Sequence, residues 1–232
     1  MRIQICPALL SVLLPALFMS AALAEKQDLP QVTEDGLHLL PDSVAAIVYV
    51  DPEASLSLYD RVVLLDAYVA FKKNWERDLR RESPGGIAPS STDIQEVKQN
   101  LAEEFREVFM EELNEAGYRV VSEPGDDVLL VRPAIINLDV NAPDIQRAGR
   151  SRSYVESAGE MTLYVELYDS VTGDLIAKAM DAQADRGYAG YYTWANSVTN
   201  RAAARRILKG WAQLLIGALN QARSPGSVSA EE

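Results

Sequence analysis

The chain has 232 residues with 34 acidic and 22 basic side chains, a formal net charge of −12. Such an excess of negative charge argues against general affinity for DNA, RNA or anionic lipid, all of them polyanions. One cysteine, Cys6, and one histidine, His38, exclude any cysteine-cage or two-histidine metal motif, and no cofactor is expected.

Arg2 is followed by an uncharged run over residues 3–24 that ends in Ala22-Leu23-Ala24. A basic start, an apolar centre and a small-x-small ending predict an export signal at 1–24, cleaved before Glu25. The alternative is a retained N-terminal membrane anchor, since an apolar run of that length can also span a bilayer. Cleavage removes Cys6 and Arg2, leaving 208 residues of net charge −13, enough for one domain without a disulfide or metal staple. The expected compartment is the periplasm, with no stable membrane anchor after cleavage.

Residues 25–43 are polar and interrupted by Pro30 and Pro41, and are expected to form an N-terminal arm. His38, between Leu37 and Leu39, is expected to be a packing or surface residue. Val44–Val50 predicts a short strand. Arg61–Phe71 predicts one strand, with Val63, Leu65, Ala67, Val69 and Phe71 on its buried face. Ser83-Pro84-Gly85-Gly86 breaks the chain, so Lys72–Ser91 reads as an excursion.

A long helix should follow, capped by Thr92 with Gln95 in the capping-box position. Its stripe is Ile94, Val97, Leu101, Phe105, Val108, Phe109, Leu113 and Ala116, and Gly117 is the left-handed residue after it. Tyr118–Ser122 and Val128–Val140 predict strands, the second burying Val128, Leu130, Ala134, Ile136, Leu138 and Val140. Pro133, which has no N–H for a ladder, suggests an edge or a bulge. In Glu160–Tyr168, Met161, Leu163, Val165 and Leu167 alternate with polar residues, and a hairpin at Asp169–Asp174 leads into Leu175–Ala184. The last helix starts near Asn200 with Ile207, Trp211, Leu214, Leu215, Ala218 and Leu219 on one side. Ala203, Gly210 and Gly217 offer a close approach, and residues 223–232 are expected to be a disordered tail. The expected fold is α+β, a mixed, largely antiparallel sheet with two long helices packed on one face, in a single domain over 44–222.

Several strings resemble a known family: Tyr59-Asp60-Arg61-Val62-Val63, the run Phe109 to Tyr118, Ala158-Gly159-Glu160-Met161-Thr162-Leu163, Asp169-Ser170-Val171-Thr172-Gly173, and Trp211-Ala212. They look like a bacterial exported lipoprotein family with a DUF3313-type domain of unknown function. The resemblance implies a cell-envelope protein. This chain departs from it in lacking a lipobox cysteine after the apolar run, so tethering by lipid is not expected.

Three constellations could carry chemistry. Among the carboxylates, Asp66 with Asp139, or Asp181 with Asp185, could form a pair for acid/base hydrolysis of a glycosidic bond. The second is Asn141–Ser157, a 17-residue stretch without period that gathers Arg147, Arg150 and Arg152. Guanidinium forks there could hold an anion or a partner, or pair with the protein's own carboxylates. The third is Tyr188-Ala189-Gly190-Tyr191-Tyr192-Thr193-Trp194, whose rings suit a protein or glycan surface or the closing of a sheet end. The candidate binding residues are therefore Tyr188, Tyr191, Tyr192, Trp194, Arg147, Arg150 and Arg152. The expected function is a non-catalytic periplasmic binding or assembly module with an envelope protein or glycan partner, able to oligomerise. The alternative is a carboxylate-dependent hydrolase of envelope polysaccharide.

Overall fold

A computed structural model describes residues 29–82, 89–140, 154–155, 157–186, 193–194 and 197–224, and the elements below all fall within the unit Val32–Glu232. The strands are β1 (His38–Leu39), β2 (Ile47–Val50), β3 (Arg61–Leu64), β4 (Tyr68–Phe71), β5 (Arg119–Val121), β6 (Val128–Asp139), β7 (Tyr154–Val155), β8 (Ser157–Asp169), β9 (Leu175–Arg186) and β10 (Thr193–Trp194). The α-helices are α1 (Trp75–Glu82), α2 (Ser91–Glu115) and α3 (Ser197–Arg223). Eight strands form one open sheet in the order β1-β2-β9-β8-β6-β3-β5, with β4 also paired to β6. β1 to β2, β2 to β9, β9 to β8 and β8 to β6 are antiparallel, whereas β3 and β4 run parallel to β6, and β5 parallel to β3. The expected α+β class holds.

The two long helices share one face of this sheet. Leu101, Phe105, Val108, Phe109 and Leu113 of α2 join Leu208, Trp211, Ala212 and Leu219 of α3 in one core with Val62, Leu129, Val131, Ile135, Leu163 and Val165. α2 begins two residues earlier than its sequence suggests. Ser90 Oγ accepts the Asp93 N–H at 3.2 Å, and Asp93 Oδ2 accepts the Ser90 N–H at 2.7 Å. Asp93 closes the box and places negative charge at the positive end of the helix dipole, which Gln95 could not do.

The far end of α2 is as expected. Gly117 has φ +89°, its N–H donates to the Asn114 carbonyl at 3.1 Å, and the Tyr118 N–H donates to Leu113 at 2.9 Å. Leu113 and Tyr118, both buried, supply the apolar contact that accompanies this cap. A Cβ at Gly117 would meet nothing within 4 Å, so Gly117→Ala is strained by its backbone alone. We expect a loss of about 1 kcal/mol in denaturant unfolding. No loss would contradict the left-handed cap.

Two strand phases differ from expectation. Arg61–Phe71 is not one strand: β3 buries Val62 and Leu64, and β4 buries Val69, with exposed Leu65 and Asp66 between them. The break shifts the alternation by one residue, so Val63 and Leu65 leave the core face. β6 buries Val128 as expected, but then Leu129, Val131, Pro133 and Ile135 rather than Leu130, Ala134 and Ile136, until Asn137 at φ +52° bulges the strand and turns Leu138 inward. Pro133 sits in an interior strand, contrary to the edge reading. It falls between the stretch of β6 paired with β3, ending at Val131, and the stretch paired with β4, starting at Ala134. A missing N–H is tolerated where no partner strand runs.

β8 follows its pattern, burying Met161, Leu163, Val165 and Leu167. The hairpin that leaves it is held by Asp169, whose Oδ1 accepts the Val171 and Thr172 N–H groups, both at 2.8 Å, with Gly173 at φ +77°. Tyr59 Oη donates to the other oxygen of Asp169 at 2.9 Å. Burial, and then that hydrogen bond, push the Tyr59 phenol up to about 12. Part of the N-terminal arm joins the sheet, because β1 pairs His38 with Val50 and Leu39 with Tyr49. His38 is exposed. On α3, Gly210 and Gly217 have nothing near a built Cβ, and both are exposed with Ala218, so the close approach expected there is absent.

Charges tie α2 to α3. Glu104 and Glu112 are buried on α2. Glu104 meets Arg205 and, at 3.2 Å, Arg201; Glu112 meets Lys209 at 2.7 Å and Gln213 at 3.2 Å. The hydrogen bond from Lys209 holds the Glu112 carboxyl below its ordinary 4.5. A carboxyl depressed on folding contributes stability that is full above its unfolded value and is lost as pH falls through the folded one. Glu112→Gln should therefore flatten the acid limb of the stability profile below about pH 4.5. An unchanged acid limb would show that the pair contributes nothing.

Candidate functional site

Asp66 and Asp139 each face a cation. Asp66 is exposed and meets Arg106 at 3.0 Å, while Asp139 meets Lys72 at 3.0 Å. Asp181 is 8% exposed and accepts three hydrogen bonds: Trp211 Nε1 at 2.9 Å, the Ala46 N–H at 3.0 Å and Gln183 Nε2 at 2.6 Å. These bonds join α3, β9 and the residue before β2, so the Asp181 carboxylate serves as a buried anchor. The side chain of Asp185 lies outside the described residues. Among the described residues no group of three or more His, Cys, Asp or Glu side chains could hold a metal ion.

Tyr188, Tyr191, Tyr192, Arg147, Arg150 and Arg152 also lie outside the described residues, as does the side chain of Trp194. The backbone of Trp194 is described. In a two-stranded antiparallel ribbon, β10 pairs Thr193 with Val155 and Trp194 with Tyr154. Residues of the aromatic segment are thus hydrogen-bonded to residues of the arginine-bearing stretch. The stem of that stretch is pinned as well. Trp75 Nε1 donates to the Val140 carbonyl at 3.2 Å, and Lys72 Nζ reaches Asp139 at 3.0 Å and Glu160 at 3.3 Å. Asp139 precedes the stretch and Glu160 follows it. The hydrogen bonds to Asp139 and then Glu160 raise the Lys72 ammonium above its ordinary 10.5, so it stays charged.

Lys72 and Trp75 also belong to a cleft that the sequence reading missed, because Lys72–Ser91 looked like an excursion. β4 ends at Phe71 opposite the Asn137 bulge, and the Lys72 N–H donates to the Leu138 carbonyl at 2.9 Å. Asn74, at φ +67°, then turns the chain into α1. Asn tolerates this left-handed region better than most residues. Trp75, 5% exposed, stacks on Phe71 with ring centroids 4.1 Å apart, and this fixes α1 against the sheet end. Between α1 and the first turns of α2 lies a cleft of about 660 Å³. Among the described residues, Phe71, Trp75 and Ile94 form its apolar part, and Lys72, Arg77, Arg80, Arg81 and Lys98 line it together with the carboxylate of Glu76. A helix of eight residues with Trp75 and Leu79 as its apolar positions leaves too short a stripe to read. Its charge was legible: Lys72, Lys73, Arg77, Arg80 and Arg81 are five cations within ten residues of an acidic chain.

An open, mixed eight-stranded sheet with two long helices on one face places the protein in the α+β class of two-layer domains. Residues 38–215 match the family model described as a protein of unknown function (DUF3313), and the chain belongs to that family. Solved structures to which the chain is similar include the PelC dodecamer from Paraburkholderia phytofirmans (11% identity, 72% of this chain and 95% of that one, TM-score 0.36). Others are XCC0632 from Xanthomonas campestris, of family model DUF330 (15%, 74% and 91%, TM-score 0.39), and a minor lipoprotein from Acinetobacter baumannii (10%, 71% and 96%, TM-score 0.34). No curated protein matches the chain. No helix among the described residues is long and apolar enough to cross a membrane.

Proposed function

We propose that this chain is an exported, non-catalytic binding or assembly module of the cell envelope. It acts in the periplasm after cleavage before Glu25. Its partner surface combines Tyr188, Tyr191, Tyr192 and Trp194 with Arg147, Arg150 and Arg152. The observation that carries this reading is the β7–β10 ribbon, which pairs Trp194 with Tyr154 and so supports a common surface for the two segments. The pinned stem at Lys72 and Trp75 adds to it, since a contact segment on a rigid scaffold loses less entropy on binding.

The test is capture of an envelope protein or glycan by the purified mature protein, followed by affinity measurement with Trp194→Ala and Arg150→Ala variants of unchanged melting temperature. Truncating a central interface Trp is expected to cost about 2 kcal/mol or more, whereas a rim arginine changes chiefly the on-rate and salt dependence. Full affinity in both folded variants would remove this surface. Intact-mass analysis of the exported protein checks the leader; retention of residues 1–24 or a lipid adduct would overturn that part.

A further inference from the structure

We propose that the cleft between α1 and α2 is a binding site for a ligand that presents two or more phosphoryl groups. This proposal does not rest on the partner surface proposed above.

The first argument is the sign of the charge. Carboxylates outnumber cations 34 to 22 in the chain, yet among the described residues five of the six charged ones that line the cleft are cationic. A concave, low-dielectric wall of one sign focuses its field into the opening. The second argument is availability. No ionic partner for Arg81 or Lys98 is found among the described residues. Arg77 and Arg80 meet Asp78 at 3.3 Å and Glu76 at 3.5 Å along their own helix, both as exposed pairs. Exposed pairs of this kind hold weakly and yield to a ligand that engages several cations together. Lys72 is different, since Asp139 and Glu160 already hold it, and it lends field rather than a free contact.

The third argument is chemistry. Three of the five cations are arginines, whose planar forks match phosphoryl oxygens in pairs. A cleft of about 660 Å³ is larger than one phosphate ion needs and lies in the size range of small-ligand sites. Phe71 and Ile94 give the carbon scaffold of such a ligand an apolar place to rest. The phosphoryl groups could come from a soluble compound or from lipid headgroups, and the experiment separates the two sources.

The experiment titrates the mature protein with tripolyphosphate and with inorganic phosphate by calorimetry, and measures co-sedimentation with phosphatidylglycerol and phosphatidylcholine vesicles. Tripolyphosphate is expected to bind more tightly than inorganic phosphate, and more weakly as salt is raised. The Arg81→Ala/Lys98→Ala double variant, at exposed and half-buried positions outside the core, should weaken tripolyphosphate binding by about tenfold or more. Glu76→Gln, which removes a carboxylate from the lining, should tighten it by about twofold to fivefold. Arg119→Ala, on β5 away from the cleft lining, should change nothing. Binding of phosphatidylglycerol vesicles that the double variant abolishes would assign the lipid source; tripolyphosphate binding without vesicle binding would assign the soluble one. A flat tripolyphosphate titration, or affinity equal in wild type and double variant, would overturn the proposal. A gain in Glu76→Gln together with a loss in the double variant cannot arise from misfolding.

Discussion

Trp211→Ala should cost the domain about 3–5 kcal/mol for the lost aromatic volume, with about 1–3 kcal/mol more from the hydrogen bond it breaks. Trp211 is 2% exposed and stands in the core between α3 and the sheet. Its indole N–H is one of three donors to Asp181, a carboxylate 8% exposed. Removing the ring therefore opens a cavity and leaves a buried charge short of a partner. Trp211→Phe separates the two effects, since it retains most of the volume and deletes the donor. The alanine variant should show a large drop in urea midpoint, and the phenylalanine variant the smaller hydrogen-bond share. Equal losses in the two variants would mean that Asp181, rather than packing, governs this site. A double-mutant cycle with Asp181→Asn measures the coupling directly.

Phe105→Ala should lose about 3–5 kcal/mol, because Phe105 is 0% exposed at the centre of the α2 stripe. Phe105 stacks on Phe109 at 4.0 Å with 21° between ring planes, so the substitution also removes an aromatic pair worth about 0.5–1.5 kcal/mol beyond its buried area. Phe105→Leu fills more of the space and should recover part of the loss. The same helix turn carries Glu104, which meets Arg201 and Arg205 of α3, so a collapse at position 105 would also loosen the ion pairs. A loss below about 1 kcal/mol for Phe105→Ala would show that α2 does not form the centre of the core.

Neither core variant touches the phosphoryl cleft or the ribbon. Their melts provide the scale against which Trp194→Ala, Arg150→Ala and the Arg81/Lys98 variant are judged.

Sequence by itself determined the features that rest on local physics. The 3.6-residue stripe from Leu101 to Leu113 and the glycine after it specify α2 and its left-handed end, because both depend only on neighbours within a few positions. The alternation of β8 and the Asp169–Gly173 turn are equally local, and each appears where its residues predict it. The tertiary structure decided phase and partnership. Whether Val62 or Val63 faces the core depends on a break at Leu65–Asp66 that exists because β3 and β4 pair with separate stretches of β6. Which face of β6 is buried depends on its neighbours, since Val, Leu and Ile occupy both faces of that strand and the side-chain period alone cannot choose. Pro133, paired with Val165 of β8 on one side, is permitted inside the sheet because neither β3 nor β4 pairs with it on the other. The cleft needed the fold most of all. Arg77, Arg80 and Arg81 are sequence neighbours, but Lys98 joins them from another helix, and a field of one sign arises only when the chain brings separate charges to one opening.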